Sequence, residues 1–111
     1  MDHIELWDKA KALMREELAN VSYTTWIEQP LKPVYVVDDK LALEVISDFN
    51  EKTIRARYLS MITAAVSQAA GREMTIELMS VKERIEWQER QKKEEAPAMQ
   101  GINMFNPKST F

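Results

Sequence analysis

The side chains that could polarise a bond near neutral pH are few in this chain and poorly spaced for it. The single histidine, His3, falls in what reads as the first turn of a helix, as an ordinary surface side chain. Adjacent carboxylates occur at Glu16-Glu17 and Asp38-Asp39. General acid–base work needs groups that converge on one reacting atom, yet neighbours in a helix point about 100° apart, and an Asp pair is what a tight turn prefers. Phosphate-cradling loops need two or three glycines within about eight residues, because backbone must approach the anion with no Cβ in the way. The chain has two glycines, Gly71 and Gly101, so a Walker loop and a dinucleotide fingerprint are both excluded. Without cysteine there is no disulfide framework, Fe–S cluster or thiolate zinc site, which fits a reducing compartment.

The elements that would position any site follow from length and periodicity. With 111 residues, 45% of them hydrophobic, the chain suits one domain of ordinary size. No stretch approaches the roughly 18 apolar residues of a membrane span, and the acidic start lacks an apolar leader. A soluble, intracellular protein is expected. Met1 to Val81 carries 9 Lys/Arg against 13 Asp/Glu, net −4, whereas Lys82 to Phe111 carries 6 against 5, net +1. A net-acidic folded part argues against nucleic acid as its main ligand.

Helical spacing runs from Asp2 to about Ala19, with a stripe of Leu6, Ala10, Leu13, Met14 and Leu18. Ser22 is a good N-cap for a short second helix, Tyr23 to about Glu28. Pro30 and Pro33 exclude helix and begin a strand, Leu31 to Val37. Asp38-Asp39 turns into a second strand, Lys40 to Ile46, whose alternation predicts one buried face. Asp48 and Glu51 form a capping-box analogue opening a long helix to about Ala70, which Gly71 ends. Its core stripe is Ile54, Tyr58, Met61, Ile62, Ala65 and Ala69. A last strand spans Met74 to Val81. Met61, Met74 and Met79 read as packing residues. The order α-α-β-β-α-β predicts an α+β layer with helices on a three-stranded sheet.

From Lys82 to Glu95 the composition changes to five basic and five acidic residues with only Ile85 and Trp87 apolar, which predicts a solvated helix supported by i,i+4 pairs. Ala96-Pro97-Ala98 is expected to break it, and Gly101 to Phe111 reads as linker. The division read from composition is a folded part over 1–81 followed by a charged, partly helical and then flexible stretch.

The informative residues are then the apolar ones that the core does not need. Phe49 sits in the first turn of the long helix, about 180° from its core stripe. It should face solvent or cover a neighbouring loop; the competing reading packs it on the second helix or the strand end. Tyr23, Trp26 and Ile27 share a face, and Trp26 suits a half-buried position with an exposed edge. Trp7 lies beside the first helix's stripe, which leaves it either core or a self-association surface. Small α+β folds of this size include the KH module, but that module grips nucleic-acid backbone with a GxxG loop, and no GxxG occurs here. Lys52, Arg55 and Arg57 are diluted by Asp48 and Glu51.

Taken together, several segments resemble the N-terminal domain of the bacterial chromosomal replication initiator DnaA. They are Leu6-Trp7, Glu17-Leu18, Ser22-Tyr23-Thr24-Thr25-Trp26-Ile27, Pro30-Leu31, Leu41-Ala42-Leu43, Phe49, Arg57-Tyr58-Leu59 and Gly71. The tail Asn103-Met104-Phe105-Asn106-Pro107-Lys108-Ser109-Thr110-Phe111 is similar to the segment with which that family enters its ATPase domain, so the resemblance implies an interaction domain over 1–81, a charged, partly helical and then flexible linker over 82–105, and the start of the ATPase domain over 106–111. The resemblance implies a KH-like α-α-β-β-α-β fold lacking the GxxG grip, and a non-catalytic interaction hub that self-associates and recruits the replicative helicase and initiation regulators to the origin. By position it implies self-association for Trp7, helicase contact for Ser22 and Phe49, and a regulator-binding patch of Thr25, Trp26, Phe49 and Asn50. Ser22 departs from members that carry an acidic residue there. It further implies no cofactor in this part, ATP or ADP in the full-length protein, weak or no nucleic-acid binding by this domain, no membrane, and a cytoplasmic, nucleoid-associated location. The alternative is a single-stranded nucleic-acid-binding module of KH-like shape.

Overall fold

A computed structural model describes the backbone of residues 2–100 and the side chains of residues 2–92. The expectations for the tail Asn103 to Phe111, and for a domain start over 106–111, lie outside the described residues. The chain separates into two compact units, Met1–Val81 and Lys82–Phe111.

In the first unit, α1 (His3–Glu17) opens on Asp2, whose carboxylate accepts the Glu5 N–H at 2.8 Å. The acid at the positive end of the dipole closes one of the free N–H groups there. The α1 core stripe is Leu6, Trp7, Ala10 and Met14, with Leu13 and Leu18 only partly covered. The second helix starts three residues earlier than expected: α2 (Asn20–Tyr23) follows Ala19 with no side-chain cap, and Ser22 lies inside it. The predicted Ser22 N-cap is therefore corrected. The helix continues as a π turn, Thr24–Glu28, closed by the Gln29 N–H on the Thr24 carbonyl at 3.0 Å.

β1 (Leu31–Val37) and β2 (Lys40–Val45) pair antiparallel from Leu31↔Val45 to Val37↔Lys40, with a register slip between Pro33 and Tyr35. Asp38 in the connecting turn has φ +54°. β3 (Thr75–Ser80) pairs parallel to β2, from Lys40↔Thr75 to Val45↔Ser80, so the sheet is mixed with order β1-β2-β3. A parallel pair needs a crossover, and the long helix supplies it. The central strand is buried on both faces, not one: Leu41, Leu43 and Val45 join the main core, and Ala42 and Glu44 are covered as well. Register explains Ala42. Its neighbours Tyr35 and Glu77 meet across it, the phenol donating to the carboxylate at 3.3 Å, while Lys40 pairs with Glu77 at 2.8 Å.

The long helix is capped by Ser47, not Asp48. Ser47 is extended, its hydroxyl oxygen accepts the Asn50 N–H at 3.2 Å, and its O–H donates to the Asn50 side-chain oxygen at 2.7 Å. Glu51 turns instead to Arg55 at 3.0 Å. The helix runs as α3 (Asp48–Thr53), a π turn (Ile54–Tyr58) and α4 (Leu59–Ala70). Gly71, at φ +75°, ends it in the left-handed region that favours glycine, as predicted. Ile54, Ile62, Ala65 and Val66 are its buried residues; Tyr58, Met61 and Ala69 are partly covered. The Ser67 hydroxyl oxygen accepts the Met74 N–H at 2.9 Å, tying the end of α4 to the approach of β3.

In the second unit, α5 (Val81–Gln100) runs through the Ala96-Pro97-Ala98 segment where a break was expected. Dense Lys, Glu, Gln and Arg before it favour helix. Arg84 donates to Gln88 at 2.8 Å, an i,i+4 pair on its surface. No helix among the described residues is long and apolar enough to cross a membrane.

Candidate docking surface

Two irregular helical turns build an aromatic cluster on the first unit. The first π turn carries Trp26, which is half-buried. The start of α3 carries Phe49, and the second π turn ends on Tyr58. The Trp26 and Phe49 ring centroids are 6.1 Å apart with the planes tilted by 46°. Tyr58 lies on Trp26 at the same 6.1 Å, nearly parallel at 22°. Both separations fall in the range in which aromatic pairs attract.

Phe49 is nevertheless 70% exposed. Its position in the first helical turn leaves it mostly in solvent, while its ring also rests against Trp26 of the second helix, so each of the two readings of Phe49 holds in part. Ile46, one residue before the Ser47 cap, is 55% exposed. A residue at that position usually packs against an apolar side chain in the next turn, but the matching position here is Glu51. Sequence reasoning did not select Ile46, because the mismatch with Glu51 follows only once the cap is placed at Ser47.

The other predicted site residues distribute unevenly. Thr25 is exposed next to Trp26, and Ser22 is half-buried one turn before it. Asn50 is half-buried and engaged with Ser47. Trp7 lies apart. It is 1% exposed within the α1 core stripe, and its indole N–H has no hydrogen-bond partner among the described residues. Of the two readings left open for Trp7, its geometry is that of a core residue: it is buried together with Leu6, Ala10 and Met14, while Leu13 is only partly covered. Trp7 floors a shallow surface cavity of about 400 Å³ edged by Ile4, Asp8, Lys11 and Leu31.

A polar network secures the second helix against α1. Tyr23 donates to Glu28 at 2.8 Å, Lys11 approaches the same carboxylate at 3.5 Å, and Arg15 donates to the Tyr23 oxygen at 3.4 Å. The phenol hydrogen bond, helped by Lys11, holds the Glu28 carboxyl below its ordinary value of 4.5. Burial, with the Glu28 contact, pushes the Tyr23 phenol up from 10.0. Among the described residues no three His, Asp or Glu side chains are gathered where a metal ion could sit.

Among the described residues the arrangement offers apolar, aromatic contact. Residues 4–68 match the family described as the DnaA N-terminal domain. The chromosomal replication initiator protein DnaA of a Thermoanaerobacter species is 31% identical over 112 residues, covering 99% of this chain and 25% of that protein. The protein of the same name from Caldanaerobacter subterraneus is 29% identical over 99% of this chain and 25% of its own. That from Citrifermentans bemidjiense is 35% identical over 81 residues, 73% of this chain and 18% of its own. The chain thus spans about a quarter of the length of the first of these relatives, in the region without their ATPase module. Over more than half its length, through both helices that carry the aromatic cluster, the chain belongs to the DnaA N-terminal domain family.

Proposed function

We propose that this chain is a protein-docking domain of a chromosomal replication initiator, and that Phe49 and Trp26, with Thr25, Asn50 and Ser22 around them, receive the replicative helicase or a regulator of initiation. The observation that carries this reading is a phenylalanine 70% exposed beside a half-buried tryptophan. Large rigid aromatic groups that keep their apolar surface in water are the usual anchors of protein interfaces. Ser22 lies on the same helix as Trp26 but carries no charge, so the contact is apolar rather than ionic. Self-association, which the family resemblance attaches to Trp7, is a second proposed interaction. With the Trp7 indole inside the core, it would use the α1 surface around Ile4. On the same reading the protein works in the cytoplasm at the nucleoid, and ATP or ADP is bound by the family's ATPase domain and not by this one.

A nucleic-acid ligand is less well served. Arg55 is held by Glu51, and the folded part is net acidic. The test is a pair of titrations of this chain, one with the helicase of the same organism and one with single-stranded oligonucleotides at low salt. Helicase binding that Phe49→Ala weakens is expected. Micromolar oligonucleotide binding that falls steeply with salt, without helicase binding, would replace this reading with the nucleic-acid one.

A further inference from the structure

We infer that the π turn at Ile54–Tyr58 is the positioning device of the docking surface, and that Tyr58 is a positioning residue that fixes the Trp26 indole where Phe49 meets it; this rests on the docking reading above. The argument is one of helical phase. Phe49 and Tyr58 are nine residues apart, about two and a half turns of an uninterrupted α-helix, and would project from opposite sides. The Leu59 N–H, however, donates to the Ile54 carbonyl, an i→i+5 bond. A π turn takes up one additional residue. The phase therefore falls back by about 100° and leaves about 80° between the two side chains. Both then reach the same indole, each with centroids at 6.1 Å.

Two further features locate the adjustment at Tyr58 itself. Its backbone, at φ −122° and ψ −13°, leaves the α region at the junction with α4. Trp26 also stands on a π turn, so two such turns bring their aromatic residues face to face. The same phase shift sets Ile54 in line with Ile62 and so serves the core too. Tyr58 joins the two roles: its ring is half-buried against the edge of the core and stacks on Trp26.

The test uses Tyr58→Leu, which keeps an apolar side chain but removes the stacked ring, and Tyr58→Phe, which keeps the ring. The readouts are the Trp26 indole resonance by NMR and affinity for the helicase used above. In Tyr58→Leu the indole resonance should move and affinity fall about fivefold, the expected size for one aromatic pair, with Tyr58→Phe restoring both to within about twofold. A Tyr58→Leu chain that binds as the parent does, or whose indole resonance is unmoved, overturns the inference. Should Tyr58→Leu not fold, NOEs in the unaltered chain from the Trp26 indole to both Phe49 and Tyr58 carry the test, and their absence overturns it. If Phe49→Ala binds normally, the docking reading itself fails; if Phe49→Ala weakens binding and Tyr58→Leu does not, only the positioning role fails.

Discussion

Replacing Phe49 by alanine should separate stability from binding. A phenylalanine side chain presents on the order of 200 Å², and with Phe49 70% exposed about 60 Å² of it is covered. At about 25 cal/mol per Å² that covered area stabilises the fold by about 1.5 kcal/mol, and less against a denatured chain that is itself partly collapsed. Alanine returns a few tenths of a kcal/mol through its higher helix propensity. The net cost is about 1 kcal/mol, a fall in melting temperature of roughly 4–8 °C for a domain of this size. An anchor residue at an interface is worth about 2 kcal/mol or more, so partner affinity should drop about 30-fold. Thermal melting by circular dichroism gives the first number and calorimetric titration of the helicase the second. Ile54→Ala is the control from the same helix. That side chain is fully buried, so its loss should cost about 2–5 kcal/mol. Stability loss in Phe49→Ala as large as in Ile54→Ala, or parental affinity, would refute the reasoning.

Three further outcomes follow from the same geometry. Trp7→Ala should lose about 3–5 kcal/mol, because a fully enclosed indole is replaced by a cavity; a melting temperature within a few degrees of the parent would return Trp7 to the surface. The Glu28 carboxyl is held below its ordinary value by the Tyr23 phenol, so its contribution is complete above about pH 4.5 and is lost as pH falls through the lower folded value. Glu77, held down by Lys40, acts in the same direction. The melting-temperature gap between the parent and Tyr23→Phe should accordingly narrow below about pH 4, and a constant gap down to pH 2–3 would contradict that assignment. Asp38, at φ +54°, should accept glycine within about 1 kcal/mol but lose about 1–2 kcal/mol on substitution by valine, measured by urea unfolding; equal midpoints for the two variants would remove the backbone argument.

What the sequence disclosed was what local chemistry decides. Gly71 ends its helix because no other residue takes the left-handed position so readily, and the Asp38-Asp39 turn follows from residues that tolerate it. Phe49 could be placed in solvent by counting residues from a cap. The cap itself slipped by one, because Ser47 and Asp48 are equally able acceptors and only the extended backbone at Ser47 decides between them. Ser22 failed as a cap for a related reason: a good capping residue was present, but α2 had already begun at Asn20. The features that assemble the site were not legible. Nothing in the residue types of Thr24–Glu28 or Ile54–Tyr58 marks a π turn, which shows only in the i→i+5 bonds of the folded backbone. Alternation predicted one buried face for β2, whereas its second face is closed in part by Tyr35 and Glu77 from the flanking strands, a consequence of register that one strand cannot reveal. Trp7 was ambiguous because it lies beside the predicted stripe of Leu6, Ala10, Leu13, Met14 and Leu18, and only packing shows that the buried face widens to take it in.

The central claim, that a protein partner docks on the Trp26–Phe49 surface, is tested most directly by titrating unlabelled helicase into ¹⁵N-labelled chain and mapping the amide and indole resonances. Shifts or broadening concentrated at Thr25, Trp26, Phe49 and Asn50, with Tyr35 and Glu77 on the sheet unmoved, is the predicted result. Perturbation centred on the sheet or on α1 around Ile4, with Trp26 and Phe49 unchanged, would contradict it.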